Sequence, residues 1–150
     1  MRYRYTEGSD PDFILLCGEL DDFLNRLAGG VENRAGYLPY NHAEDVPHVI
    51  LAYEREKPAG CAGFRRYDAQ RAEIKRVFIR GEYRGRGLSR ELLARLEQAA
   101  KEQGYSYLLL ETGEELVPAM ALYRAAGFEI IPNYAPYENM PESVCMKKRL

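Results

Sequence analysis

Residues Arg84-Gly85-Arg86-Gly87-Leu88-Ser89 stand between an extended run, Glu73 to Arg80, and an amphipathic helix, Leu88 to Gln103. No other stretch limits the fold as much, because it commits the middle of the chain to strand, tight turn and helix in that order. Glycine has no Cβ, so backbone can take φ > 0 and approach a ligand closely. The first helical turn also leaves N–H groups without partners, and the positive end of the helix dipole lies there. A glycine turn that opens a helix is therefore a cradle for an anion such as a phosphate.

The flanking elements follow from periodicity. Arg2 to Thr6 alternates and reads as a strand. Asp10-Pro11 reads as an N-cap with Pro at N1, and Phe13, Leu16, Leu20, Phe23, Leu24 and Leu27 then recur at helical spacing until Gly29-Gly30. A loop rich in Asn, Gly, Tyr and Pro runs to about Asp45. Val46 to Glu54 and Ala59 to Arg66 are expected strands, joined by a turn at Glu56-Lys57-Pro58. Ala72 to Ile79 is the next strand. Lys75 and Val77 share a parity there, so its alternation is broken and a bulge is open.

The helix after the glycine turn buries Leu88, Leu92, Leu93, Leu96, Ala99 and Ala100, with Gly104 as its C′ residue. Tyr105 to Glu111 is a continuous apolar strand of central type. Pro118 opens a short helix whose stripe is Ala119, Leu122, Tyr123 and Ala126, ended by Gly127. Phe128 to Ile131 and Ser143 to Lys148 are closing strands. The order β-α-β-β-β-α-β-α-β-β implies an α/β (α+β) domain, a mixed sheet with helices on its faces. At 150 residues, one domain over 1–150 is expected.

Charge is nearly balanced at −2 but unevenly spread. From Glu7 to Glu32, the acids Glu7, Asp10, Asp12, Glu19, Asp21, Asp22 and Glu32 face Arg26 alone. From Arg71 to Lys101, bases predominate. Either these are two solvated faces, or the basic part holds an anion and the acidic part a cation. Cys17, Cys61 and Cys145 are scattered and form no C-x-x-C, so no structural disulfide is expected. Neither His42 nor His48 has a partner at metal-ligand spacing, so no metal is expected. No apolar run approaches the roughly 20 residues of a membrane span. Met1-Arg2-Tyr3-Arg4-Tyr5 reads as strand rather than signal peptide, which points to the cytoplasm.

The strand, the Arg-Gly-Arg-Gly-Leu-Ser turn, the amphipathic helix, the Leu-rich strand and Leu122-Tyr123-x-x-x-Gly127-Phe128 together resemble the GNAT superfamily of acetyl-CoA-dependent N-acetyltransferases. The family's turn reads Gln/Arg-x-x-Gly-x-Gly/Ala, and Arg84, Gly87 and Ser89 occupy its defined positions. Ser89 departs from Gly or Ala but is small and keeps its N–H. The resemblance covers about Ala59 onward, and it makes the expected sheet GNAT-like and mostly antiparallel. It implies that Val77, Phe78 and Ile79 offer backbone groups to the pantetheine arm of acetyl-CoA. It implies as well that Arg84, Gly85, Arg86, Gly87, Leu88, Ser89 and Arg90 hold the pyrophosphate. Tyr123 matches a tyrosine that protonates the departing thiolate, and Glu111 matches a strand-end general base. Where the family often has Asn before that tyrosine, this chain has Leu116.

An alkyl ammonium must lose a proton before it attacks a thioester, so a base or water relay is needed. Glu111 is one candidate, and Glu73, on the strand feeding the turn, is a second. Tyr123 reads equally as a core aromatic, Glu111 as a structural carboxylate, and the arginines as solvated charges. Tyr37, Tyr40, Asn41 and His42 in one loop, with Tyr134 and Tyr137 in another, either pack ordinarily or hold an amine by cation–π contact. The expected activity is acetyl transfer from acetyl-CoA to a primary amine of a cationic small molecule, by direct attack in a ternary complex. The alternative is a non-catalytic CoA-binding module of the same fold. A Walker A loop would need Gly-Lys-Ser/Thr where this chain has Gly87-Leu88-Ser89. A sequence pI near 5.8 disfavours nucleic acid. The expected partner is a small-molecule amine acceptor, with no nucleic acid and no membrane; whether the chain forms a homodimer stays open.

Overall fold

The computed structural model describes residues 1–37, 40 and 42–150. Among the described residues, seven strands form one mixed, mostly antiparallel sheet in the order β1-β2-β3-β4-β5-β7-β6, flanked by helices. The strands are β1 (Arg2–Thr6), β2 (His48–Glu54), β3 (Lys57–Arg66), β4 (Arg71–Ile79), β5 (Tyr107–Gly113), β6 (Glu129–Ile131) and β7 (Ser143–Arg149). The helices are α1 (Pro11–Ala28), α2 (Leu88–Glu102) and α3 (Val117–Ala125). The chain divides into two compact units, Met1–Arg65 with Lys75–Leu96, and Arg66–Ile74 with Glu97–Leu150.

In the first unit, β1 pairs with β2 and β2 with β3, both antiparallel. The β2–β3 hairpin is tighter than the sequence suggests. Its turn is Arg55-Glu56, with Arg55 at φ 55°, and Lys57 already pairs with Glu54. Pro58 enters the strand because the register shifts between Ala52 and Tyr53, where a residue without an N–H is tolerated. Gly60 lets β3 approach β4 closely, since a Cβ there would meet the Phe78 carbonyl oxygen at 2.9 Å.

Helix α1 starts where the sequence places it. The Asp10 carboxylate accepts from the Asp12 N–H at 2.9 Å, with Pro11 in the first turn. Gly29, at φ 85°, donates to the Arg26 carbonyl, and Gly30 to that of Asn25. The buried face is Phe13, Leu16, Cys17 and Leu20, packed with Val46, Val49, Leu51, Tyr53, Cys61 and Phe78. Burying a side chain such as Phe13 or Leu16 is worth about 1.5–3 kcal/mol. Leu27, expected on the apolar stripe, is 45% exposed, because it falls in the last turn next to the cap.

In the second unit, β4 pairs with β5 in parallel, in register from Arg71↔Tyr107 to Glu73↔Leu109. β5 continues to Gly113, antiparallel to β7, and β7 pairs with β6. β5 starts two residues later than expected, because the Ser106 and Tyr107 N–H groups both donate to the Gln70 carbonyl as the chain enters the sheet. Gly104 closes α2 at φ 90°, and Gly127 closes α3 at φ 98°. Among the described residues, no helix is long and apolar enough to cross a membrane.

Candidate active site

The glycine turn lies in the first unit. Gly85 and Gly87 both adopt φ 76°, the left-handed conformation that a side chain disfavours. A Cβ on either would meet no protein atom within 4 Å, so both face open space. Leu88, at the start of α2, is buried and anchors the helix, while Arg84 to Gly87 are exposed. The first-turn amides have no intrahelical acceptor by geometry. Open backbone, two left-handed glycines and a helix N-terminus make a cradle suited to a phosphate-type anion.

The strand that feeds the turn breaks at Arg76, which takes φ 60°. This is the physical basis of the parity break between Lys75 and Val77. The Arg76 side chain, 3% exposed, turns to α1, where Nη2 donates to the Cys17 carbonyl at 2.9 Å and lies 2.8 Å from Asp21 Oδ1. The Cys61 thiol donates to the Arg76 carbonyl at 3.3 Å. Val77 is half-buried, and Phe78 and Ile79 are buried.

The arginines of the turn differ in their contacts. Arg84 Nε donates to the Ile79 carbonyl at 3.1 Å, and its guanidinium stacks 5.1 Å from the Phe23 ring. It thus braces the end of β4. Arg86 lies 3.5 Å from Glu54 and over Tyr83. Arg90 is exposed and makes no ion pair among the described residues. Part of the uneven charge is used inside the first unit. Glu19 takes two hydrogen bonds from Arg80, and Asp21 pairs with Arg76, so these acids of α1 neutralise the bases of β4.

The second unit holds the proton-transfer candidates. Tyr123, on α3, is 7% exposed and meets Phe128 edge-on, with centroids 5.8 Å apart. Burial pushes its phenol up to about 12, so it keeps its proton at neutral pH. Glu73 is 1% exposed and accepts from the Tyr134 hydroxyl at 2.7 Å. Glu111 is half-buried on β5, opposite Cys145 of β7. Burial first, then Glu111 and Glu73, push the Cys145 thiol up to about 11, against a hydrogen bond from the Tyr134 backbone. Glu73, Glu111, Cys145 and Tyr134 are therefore near neighbours.

Tyr134 and Tyr137 are buried and meet edge-on with centroids 5.7 Å apart, so the rings are packing elements, not an open cage. Tyr37 and Tyr40 are half-buried, His42 is exposed near Glu44, and Asn41 lies outside the described residues. Sequence reasoning missed the structural roles of Arg76 and Arg80, and missed the Tyr134 hydroxyl as a partner of Glu73. For Arg76 alone there was a signal, the parity break. Among the described residues, no group of His, Cys, Asp and Glu is arranged to hold a metal ion.

Comparisons with known proteins give the family and the fold. Residues 17–128 match the model of the acetyltransferase (GNAT) family. The chain is 33% identical over 138 residues to the IAA acetyltransferase of Azospirillum brasilense, covering 91% of this chain and 90% of that protein. Its fold is similar to that of a Klebsiella pneumoniae protein assigned as an acyl-CoA N-acyltransferase, with TM-score 0.82, 29% identity, and 99% and 97% of the two chains covered. A GNAT family acetyltransferase from Elizabethkingia anophelis with acetyl-CoA bound shares the fold at TM-score 0.61 and 22% identity, over 69% of this chain and 76% of that one.

Proposed function

The chain belongs to the GNAT acetyltransferase family, as an acetyl-CoA-dependent N-acetyltransferase, and from that premise we propose that it acetylates a primary amine of a cationic small molecule by direct attack in a ternary complex. The observation that carries the proposal is the pair of left-handed glycines opening α2, with space where their side chains would be. In this reading, the amides of Gly85 to Arg90 bind the pyrophosphate, Arg90 adds a free cation, and the backbone of Val77 to Ile79 aligns the pantetheine arm.

One carboxylate, Glu111 ahead of Glu73, accepts the ammonium proton through one water. Their shared neighbourhood, rather than the acidic residues of α1, supports a cationic acceptor. A protonated Cys145, opposite Glu111, is a poor nucleophile, which favours direct attack over an acetyl-enzyme. Tyr123 donates a hydrogen bond to the departing thiolate. Complete transfer from a phenol near 12 to a thiolate of ordinary pKa about 8.5 would be uphill by about 5 kcal/mol, so the proton is shared in the transition state and the thiol is protonated later.

The test is a panel of amines incubated with acetyl-CoA, following thiol release. The panel comprises polyamines, amino sugars, amino acids, a lysine peptide and a peptide α-amine. Turnover confined to the polycationic small molecules supports the proposal. Turnover confined to peptides overturns the acceptor class.

A further inference from the structure

We infer that Tyr134 is a positioning residue of the acetyl transfer, acting through the Glu73 carboxylate. The inference rests on the reading of Glu73 as a proton acceptor. Glu73 is the last residue of β4 with a β5 partner, opposite Leu109. Its carboxylate is buried, which leaves its orientation to its hydrogen-bond partners rather than to bulk water. The Tyr134 hydroxyl donates to Oε2 at 2.7 Å, from a loop 61 residues away in sequence. An O–H···O hydrogen bond of this length between buried groups is directional and holds its acceptor in one orientation.

The donor is itself held. The Tyr134 ring meets Tyr67 edge-on at 5.1 Å and Tyr137 at 5.7 Å. The Tyr67 hydroxyl donates to the Ala135 carbonyl at 3.1 Å, which fixes the loop on Tyr134's C-terminal side. Asn133 donates to the Tyr137 and Met140 carbonyls, which fixes it on the other. The hydroxyl therefore cannot swing away from Glu73 without breaking these contacts. Burial, and then Glu73, raise the Tyr134 phenol, so the proton stays on tyrosine and the tyrosine remains donor.

This contact fixes the plane of the carboxylate, so that the proton-accepting lone pair keeps one direction from turnover to turnover. The groups that face this pair are Cys145 on β7, Glu111 on β5, Tyr137 in the same loop, and Arg71 and Tyr67 beside β4. Arg71 is engaged by Asp68 at 2.6 Å, so it does not replace Tyr134 as the donor.

The test uses the full chain, acetyl-CoA and the best acceptor of the amine panel, with kcat and KM measured from pH 5 to 9. Tyr134→Phe should lower kcat by about 10-fold and leave the acetyl-CoA KM within about twofold. Glu73→Gln should lower kcat by about 100-fold, and adding Tyr134→Phe to it should cost no more than about twofold further. Should Tyr134→Phe not fold, Glu73→Asp draws the carboxylate back from the Tyr134 hydroxyl by one methylene and should lower kcat by about 10-fold with the acetyl-CoA KM within about twofold. Wild-type kcat in the folded Tyr134→Phe variant, or additive losses in the double variant, with Glu73→Gln slow, overturns the role of Tyr134 alone. Wild-type turnover of Glu73→Gln overturns the proton-acceptor reading and this inference with it.

Discussion

Arg80 forks onto Glu19, with Nε 2.9 Å from Oε1 and Nη2 2.6 Å from Oε2, while its Nη1 donates to the Pro58 carbonyl at 3.0 Å. The pair joins the end of β4 to α1 and consumes an acid that the sequence offers as a cation site. A bidentate, partly buried pair is worth more than an exposed one but loses much of its strength to solvent. Glu19→Gln should therefore destabilise by about 1 kcal/mol in urea unfolding. It should leave the acceptor KM within twofold, and a large rise in that KM would return α1 to the acceptor site.

Tyr123→Phe keeps the ring and its contact with Phe128. It should lower kcat by about 100-fold with little change in acetyl-CoA affinity. Unchanged turnover on a verified acceptor would make Tyr123 a core aromatic only.

The same residue carries an alkaline signature. Its folded pKa, about 12, lies above the ordinary 10, so the stability linked to its proton is fully present below pH 10 and is lost as pH rises towards 12. Two units correspond to roughly 3 kcal/mol. Denaturant melts between pH 9 and 12 should fall less steeply for Tyr123→Phe than for wild type. Parallel curves would contradict the burial of the phenol.

Asp10 gives the opposite sign. Burial would raise its pKa, but hydrogen bonds from Arg4, Thr6 and the Asp12 amide win and hold it below the ordinary carboxylate value. Its contribution is present at neutral pH and lost as pH falls through that depressed value. Asp10→Ala should cost about 1–2 kcal/mol at pH 7. The difference from wild type should shrink below about pH 3.8. A gap independent of pH would show that packing, not charge, is what the cap supplies.

Gly87→Val places a side chain in the open space of the turn and forces a β-branched residue to φ 76°. Calorimetry with acetyl-CoA should show at least a 10-fold loss of affinity. Gly104→Ala, strained in the same way at φ 90°, controls for general destabilisation and should bind normally. Equal affinities in folded Gly87→Val and wild type would place the pyrophosphate elsewhere.

The order of elements was legible because each is locally encoded. Asp10-Pro11 and Gly29 bound α1 by capping, and Gly104 and Gly127 end α2 and α3 by taking φ > 0. The glycine turn was legible for the same reason. The partners of Glu73 and Glu19 were not, because each lies 61 residues away and only the folded sheet brings them together. Pairing of the same kind hid the fate of part of the uneven charge, since Asp21 and Glu19 meet Arg76 and Arg80 only in the folded chain. Strand ends shifted by one or two residues wherever a neighbouring carbonyl, such as that of Gln70, captured an N–H before the ladder began.

Gly60 has no chemistry to perform, yet its history should be tied to that of the cofactor strand. Any side chain there would push on the Phe78 carbonyl, 2.9 Å from where a Cβ would stand. Phe78 is one of the residues whose backbone is expected to align acetyl-CoA. Drift at position 60 would thus be filtered by catalysis and not only by folding, and a descendant that abandons glycine there should carry a compensating change in the strand opposite.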